Sequence, residues 1–172
     1  VFGKRKAKTA NDVASNWEKD KQAKRLKQAI KPLSVLDGIS TALPAATRAV
    51  KIQKRAAHVG FDWPKARDVL AKIKEEIGEL EREIKKKADK DYLEDELGDV
   101  FFAVTNLARK LDISPEAALR RTNRKFERRF REIEKALAKN GKKIADASLD
   151  EMERIWNAVK AGEKRGVRKQ RK

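Results

Sequence analysis

Cysteine is absent from the 172 residues of this chain. Its absence excludes a disulfide scaffold, a thiolate metal site and a cysteine nucleophile. Long apolar runs are missing too: no stretch is long enough to span a bilayer, and the first residues lead into polar sequence rather than the apolar segment of a signal peptide. We therefore expect a soluble protein that works in the cytoplasm, or inside an organelle, without a membrane partner.

Negative charge is in short supply. The chain has 44 Lys and Arg against 27 Asp and Glu, a net charge of +17. Such an excess attracts polyanions, whether nucleotides, nucleic acid or an anionic membrane surface. It is concentrated at positions 1–31 and 161–172, where a solubilising surface with a disordered tail is the alternative explanation. Aromatic residues make up only 6% and do not alternate with these basic segments, which argues against a surface for base stacking.

No segment of the sequence has the pattern of a β-strand, and helical periodicity runs almost throughout. Proline suits a first helical turn at Pro64 and Pro115, and Ser148 with Glu151 forms a capping box. Six helices are predicted, at 11–30, 44–58, 64–87, 92–111, 115–140 and, as a short helix, from 148. The fold class is therefore all-α, a helical bundle.

Apolar residues recur at helical spacing in the last four predicted helices, and we expect them to form the core. In chain order the members of these stripes are Leu70, Ile73, Ile77, Leu80, Ile84, Val100, Val104, Leu107, Leu111, Leu119, Phe126, Phe130, Ile133, Leu137, Met152, Ile155 and Trp156.

Two acidic pairs stand beside these stripes on neighbouring helices. Glu76 and Glu79 form the first pair, Glu96 and Asp99 the second, and the i, i+3 spacing places both members of a pair on one helix face. Each acidic pair lies at almost the same angle from the apolar stripe of its own helix. If the two helices pack through these stripes, the four carboxylates come together. Their mutual repulsion is relieved most simply by a cation, and carboxylate oxygen is the ligand type that Mg²⁺ and Mn²⁺ prefer.

A simpler explanation stays open for the acidic pairs. Glutamates on lysine-rich helices are commonly solvated, and they form ion pairs with cations three or four positions away. Lys72, Lys74 and Arg82 are available for such pairs.

Basic side chains on the last two predicted helices suit phosphate oxygens. Lys125 and Arg129 are four residues apart beside the apolar face of the fifth helix, and Trp156 and Lys160 repeat this spacing on the sixth. The alternatives are that arginine-rich helices are common and that Trp156 is a core anchor.

These motifs together resemble the catalytic domain of the MazG-type nucleoside triphosphate pyrophosphohydrolases. The resemblance covers about 41–160. It is carried most clearly by four strings, which are 59–63 (VGFDW), 74–80 (KEEIGEL), 95–103 (DELGDVFFA) and 123–130 (NRKFERRF).

The resemblance implies an all-α enzyme that hydrolyses NTPs and dNTPs between the α and β phosphates, giving a nucleoside monophosphate and pyrophosphate. It implies Mg²⁺, with Mn²⁺ as an alternative, and a homodimer or higher homo-oligomer. The implied metal ligands are Glu76, Glu79, Glu96 and Asp99. By the same resemblance Lys125 and Arg129 bind phosphate, and Trp156 and Lys160 complete the nucleotide pocket. We assign no general base.

The resemblance also suggests a division of the chain. Positions 41–160 form the catalytic domain, 1–40 a basic helix and connector that look like the end of a preceding domain, and 161–172 a basic tail. Because the chain also begins without Met, we expect a fragment of a two-domain protein or the product of a shortened gene.

A non-enzymatic function is the competing hypothesis. In it, a basic helical module binds RNA or a ribonucleoprotein through 1–31 and 161–172, with steep salt dependence and indifference to Mg²⁺ and to Glu96. The intact set of four carboxylates favours the enzyme.

Overall fold

The computed structural model describes Asp20 and residues 34–169, with side chains described as far as 163. Within this part of the chain the regular structure is entirely helical, which confirms the all-α class. The elements are α1 (Ala45–His58), α2 (Ala66–Lys86), α3 (Lys90–Lys110), α4 (Pro115–Lys139), a 3-10 turn (Ile144–Asp146) and α5 (Leu149–Lys169). The helix predicted at 11–30 lies outside the described residues, apart from Asp20. Within the same described part, no helix is both long and apolar enough to cross a membrane.

Local chemistry sets the beginnings of the helices. The Ser114 hydroxyl accepts a hydrogen bond from the Ala117 amide at 3.2 Å, and Pro115 occupies the first turn of α4. The Ser148 hydroxyl accepts from the Glu151 amide at 3.3 Å, which is one of the two bonds of the predicted capping box, while the Glu151 carboxylate accepts from Lys142. The prediction of a short last helix was wrong, because α5 continues to Lys169. Gly162 does not end it, since a single glycine inside a helix costs only about 1 kcal/mol.

The described residues form two compact units that divide between Asp112 and Ile113. In the first unit α2 packs along α3, and α1 packs on α3 as well. In the second unit α4 packs on α5 and on the 3-10 turn. The acidic pairs therefore lie on two helices of the first unit that pack against each other.

The apolar core contains fewer residues than the apolar stripes of the sequence led us to expect. Ile133 and Leu137 of the second unit are buried as expected, and Val69 and Ala103 of the first unit are buried as well. Seven predicted core residues are instead 43% to 61% exposed: Leu70, Ile77, Ile84, Val104, Leu111, Leu119 and Phe126. A unit of two or three helices buries only the side chains in its helix–helix seams, so it leaves much of each stripe uncovered.

Polar contacts fix the segment between α1 and α2. Asp62 accepts a hydrogen bond from Arg109 at 2.5 Å and from Lys110 at 2.6 Å. Burial acts to raise the pKa of Asp62, but the hydrogen bonds from Lys110 and Arg109 outweigh it and hold the pKa below its usual value. Lys110 also donates to the Trp63 carbonyl. These bonds tie the segment to the C-terminal end of α3.

Truncating a buried leucine of the second unit tests this account of the core. Leu137 is 1% exposed and Leu119, on the same helix, is 61% exposed. We expect Leu137→Ala to lower the free energy of unfolding by about 2–5 kcal/mol, because the side chain leaves a cavity. Leu119→Ala should change it by less than about 0.5 kcal/mol, as is usual for exposed positions. Urea denaturation of both variants measures the difference, and equal losses would contradict the assignment of the core.

Candidate functional site

Three of the predicted metal ligands come together in the first unit. Glu76 from α2 and Glu96 and Asp99 from α3 each contribute one carboxylate oxygen, and these oxygens lie within 4.8 Å of one another. Glu76 is buried, Glu96 is partly buried and Asp99 is exposed. We call these three residues the acidic cluster. Its position at the margin of the α2–α3 contact is the one that the matching helical offsets predicted.

Glu79, the fourth predicted ligand, lies outside this group. Its Oε1 atom accepts a hydrogen bond from Arg82 Nη2 at 3.1 Å. Its charge nevertheless acts on Glu96, since it contributes to the altered pKa of that carboxyl group. Glu79 thus belongs to the electrostatic surroundings of the acidic cluster, and its role as a ligand stays a prediction.

The electrostatics of the acidic cluster favour a cation. Desolvation raises the pKa of Glu96 above its usual value, and repulsion from Glu79, Asp99 and Glu76 raises it further. All the available donors are carboxylate oxygens, and hard divalent cations such as Mg²⁺ and Mn²⁺ prefer this ligand type. The donor set of the cluster therefore fits such an ion.

Ion pairs, the alternative explanation, account for only part of the acidic residues. Lys72 Nζ lies 2.7 Å from Glu76 Oε1 and 2.8 Å from Glu75 Oε1. The exposed pair of Arg82 with Glu79 is of the same i, i+3 kind. Among the described side chains no cation lies within ion-pair distance of Glu96 or Asp99. Their proximity to Glu76 is left unexplained by surface ion pairing.

A second group of predicted residues is assembled in the second unit. The guanidinium carbon of Arg129 lies 5.2 Å from the centre of the Trp156 ring, within cation–π range. Trp156 packs on Phe126 with ring centres 5.3 Å apart, and Phe126 stacks on Phe130 at 5.8 Å. Trp156 thus packs on an aromatic neighbour and lies within cation–π range of Arg129, and its role in nucleotide binding stays a prediction. Lys125 and Lys160 are exposed, and their roles stay predictions.

Sequence reasoning missed Glu163, which accepts hydrogen bonds from two arginines. Its Oε2 atom accepts from Arg129 Nε at 3.1 Å and Nη2 at 2.7 Å. Its Oε1 atom accepts from Arg128 Nε at 3.2 Å and Nη2 at 2.7 Å. One signal was present in the sequence: Glu163 follows Trp156 by seven residues, two helical turns, and therefore shares its face of α5.

The pH dependence of stability should report the Glu163 ion pairs. Hydrogen bonds from Arg129 and then Arg128 lower the pKa of Glu163 from 4.5 to about 2. Because the folded-state pKa lies below the unfolded value, the pairs stabilise the fold above the unfolded pKa, and this contribution disappears as the pH falls through the folded one. We expect the stability difference between the unaltered protein and Glu163→Gln to shrink as the pH falls from about 5 to about 2. Urea denaturation across this range measures it, and a constant difference would argue against the pairs.

Comparisons with known proteins agree with the geometry. Residues 65–133 match the model of the MazG nucleotide pyrophosphohydrolase domain. The chain is 43% identical over 164 residues to the "Nucleoside triphosphate pyrophosphohydrolase" of Escherichia coli (strain K12), covering 95% of this chain and 62% of that protein. It is 35% identical over 147 residues to the "Nucleoside triphosphate pyrophosphohydrolase/pyrophosphatase MazG" of Thermotoga maritima, covering 86% and 55% respectively. The chain thus spans less than two thirds of the length of these curated relatives.

Proposed function

Because the chain belongs to the family of MazG nucleotide pyrophosphohydrolase domains, we propose that it hydrolyses nucleoside triphosphates between the α and β phosphates. The substrates are NTPs and dNTPs, and the products are a nucleoside monophosphate and pyrophosphate. The acidic cluster of Glu76, Glu96 and Asp99 is the observation that carries this proposal. It lies within the matched residues, and its donors suit the metal ion that phosphate chemistry requires.

Four carboxylates would hold the metal ion in this proposal. The three members of the acidic cluster converge already, and Glu79 completes the set from the next turn of α2. Mg²⁺ is the proposed ion and Mn²⁺ the alternative, since both prefer carboxylate oxygen. When bound, the ion offsets negative charge on the phosphate oxygens and makes the attacking water more acidic.

We propose that side chains of α4 and α5 bind phosphate. Arg129 is held against Trp156, and its guanidinium matches the geometry of phosphate oxygens. We assign phosphate binding to Arg129 and Lys125, and contacts with the rest of the nucleotide to Trp156 and Lys160. Arg129 and Lys125 act by stabilising the charge of the leaving pyrophosphate.

A substrate panel tests the proposed function. The purified protein is incubated with each of the common NTPs and dNTPs, with Mg²⁺, with Mn²⁺ and with a chelator. We expect monophosphate and pyrophosphate in equal amounts, only when a divalent ion is present. Absence of turnover with every nucleotide and both ions would overturn the proposal.

We also propose that the chain works as a homodimer or higher homo-oligomer. Its first unit leaves large apolar side chains 42% to 64% exposed on α2 and α3, namely Leu70, Ile77, Ile84, Leu97, Phe101 and Phe102. Large apolar side chains that remain exposed on neighbouring helices are often covered by a partner in an oligomer. Light scattering coupled to size-exclusion chromatography measures the mass, and a monomer at micromolar concentration would contradict this proposal.

Two further parts of the proposal concern the location of the protein in the cell and its binding to nucleic acid. We place the protein in the cytoplasm, where its proposed substrates are abundant, and cell fractionation tests this location. Nucleic-acid binding through 1–31 and 161–172 stays a secondary proposal that rests on their charge, because almost all of these residues lie outside the described part of the chain. It predicts RNA affinity that falls steeply with added salt.

A further inference from the structure

Glu163 holds two neighbouring arginines in one arrangement. Arg128 and Arg129 follow each other on α4, so their side chains leave the helix about 100° apart. One carboxylate nevertheless accepts both, with each of its oxygens bonded to the Nε and Nη2 atoms of one arginine. The Arg129 side chain is only 13% exposed, whereas that of Arg128 is 59% exposed. Arg129 is thus the arginine that this contact immobilises within the unit.

Arg129 is fixed from two sides. Glu163 bonds to one edge of its guanidinium, and the Trp156 ring lies 5.2 Å from its central carbon. Both partners are on α5, so this helix alone determines the plane and the direction of the guanidinium. A long side chain that is already ordered loses less conformational entropy when it binds an anion.

Glu163 and a phosphate can bind Arg129 at the same time, because they can use different N–H groups of its guanidinium. A guanidinium has five N–H donors, and Glu163 accepts from two of them, one on Nε and one on Nη2. Three donors remain, which include both of those on Nη1. A phosphate can therefore bind this second edge while the carboxylate stays in place.

We propose that Glu163 is a positioning residue that orients Arg129, through its Nε edge and against Trp156, so that the Nη1 edge binds the phosphates of the substrate. This inference rests on the proposed function. It adds a residue that makes no contact with substrate itself, and it predicts that removing a negative charge weakens the binding of a polyanion. Simple electrostatics would predict the opposite sign, since loss of a nearby carboxylate otherwise strengthens anion binding.

The test compares two substitutions of the same kind on the same helix. In Glu163→Gln the shape is kept and the charge is lost. Glu151→Gln is the matched control, because Glu151 is also an ion-paired carboxylate of α5, 2.5 Å from Lys142, with an exposed fraction of 27% against 29% for Glu163. We expect Glu163→Gln to raise KM about tenfold with little change in kcat, the size expected when one long side chain must be ordered on binding. Glu151→Gln should leave both constants unchanged.

Two more measurements separate positioning from a purely structural role. The affinity of each variant for inorganic tripolyphosphate with Mg²⁺, measured by calorimetry, should fall about tenfold in Glu163→Gln without any turnover. In an Arg129→Ala background, Glu163→Gln should cause no further loss, because no guanidinium is left to orient.

The outcomes of these experiments distinguish a failure of this inference from a failure of the proposed function on which it rests. Unchanged or tighter binding of tripolyphosphate by Glu163→Gln, with turnover intact in the unaltered protein, would overturn the positioning role and leave the enzyme standing. The same holds if the Glu163→Gln loss is undiminished in the Arg129→Ala background. Absence of both turnover and tripolyphosphate binding in the unaltered protein would overturn the proposed function and the inference together.

Discussion

Glu96→Gln is expected to lower turnover at least about a hundredfold, since even the outer partners of metal ligands typically contribute 10- to 100-fold. Glu96 provides one of the three oxygens of the acidic cluster, and its α3 partner Asp99 lies one turn away. The amide oxygen of Gln has the same size but carries no charge, so it binds a divalent cation more weakly. Steady-state kinetics with Mg²⁺ measure the loss, and raising the Mg²⁺ concentration should recover part of it.

The same substitution should not weaken the fold when metal is absent. The raised pKa of Glu96 results from desolvation and from repulsion by Glu79, Asp99 and Glu76, and all of these oppose its ionised form in the folded state. We therefore expect Glu96→Gln to unfold at an equal or higher temperature than the unaltered protein in the presence of a chelator. Added Mg²⁺ should raise the unfolding temperature of the unaltered protein more than that of the variant.

Glu94→Gln is the matched control for this prediction. Glu94 is an exposed carboxylate of the same helix and does not belong to the acidic cluster. Its substitution should change neither turnover nor the stabilisation by Mg²⁺. If Glu94→Gln and Glu96→Gln lost activity equally, the cluster would not be the metal site.

Arg129→Ala is expected to lower kcat/KM by about a hundredfold or more, because removing one partner of a buried, hydrogen-bonded charge pair typically costs about 2–5 kcal/mol. The Arg129 side chain is 13% exposed and fixed between Glu163 and Trp156. Truncation removes the guanidinium that is proposed to bind phosphate, and it leaves Glu163 without one of its two partners.

Arg128→Ala is the control that separates the effect of losing one positive charge from the effect of losing the oriented side chain of Arg129. Arg128 is the adjacent residue and pairs with the same carboxylate, but its side chain is 59% exposed. Exposed ion pairs contribute about 0–1 kcal/mol, so this variant should lose no more than about fivefold in kcat/KM. Losses of equal size in both variants would mean that general positive charge, rather than an oriented Arg129, binds the substrate.

Local features of the sequence predicted the helices and all three members of the acidic cluster. Ser114 with Pro115 and the capping box at Ser148 act within one helical turn, so their effects can be read without knowledge of the tertiary structure. The convergence of Glu76 with Glu96 required only one further assumption, that two neighbouring helices pack through their apolar stripes. The structure has this packing.

Other features that depend on tertiary contacts were not predicted. Glu163 lies 34 residues from Arg129. Its spacing from Trp156 indicates the face of α5 on which it lies, but not that it pairs with Arg129. Ile77 and Phe126 were predicted as core residues, yet both are exposed. Helical periodicity identifies an apolar face, but it does not tell how much of that face a given unit covers. The roles of Glu79, Lys125 and Lys160 stay predictions, as do the metal-binding and substrate-binding roles of the other site residues.

Phosphorus-31 NMR of the reaction with ATP and Mg²⁺ tests the central claim most directly, because it identifies the bond that breaks. The account predicts AMP and pyrophosphate in equal amounts from the unaltered protein and from Glu94→Gln, and neither product from Glu96→Gln on the same timescale. Formation of ADP and orthophosphate, or equal rates with and without the Glu96 carboxylate, would contradict it.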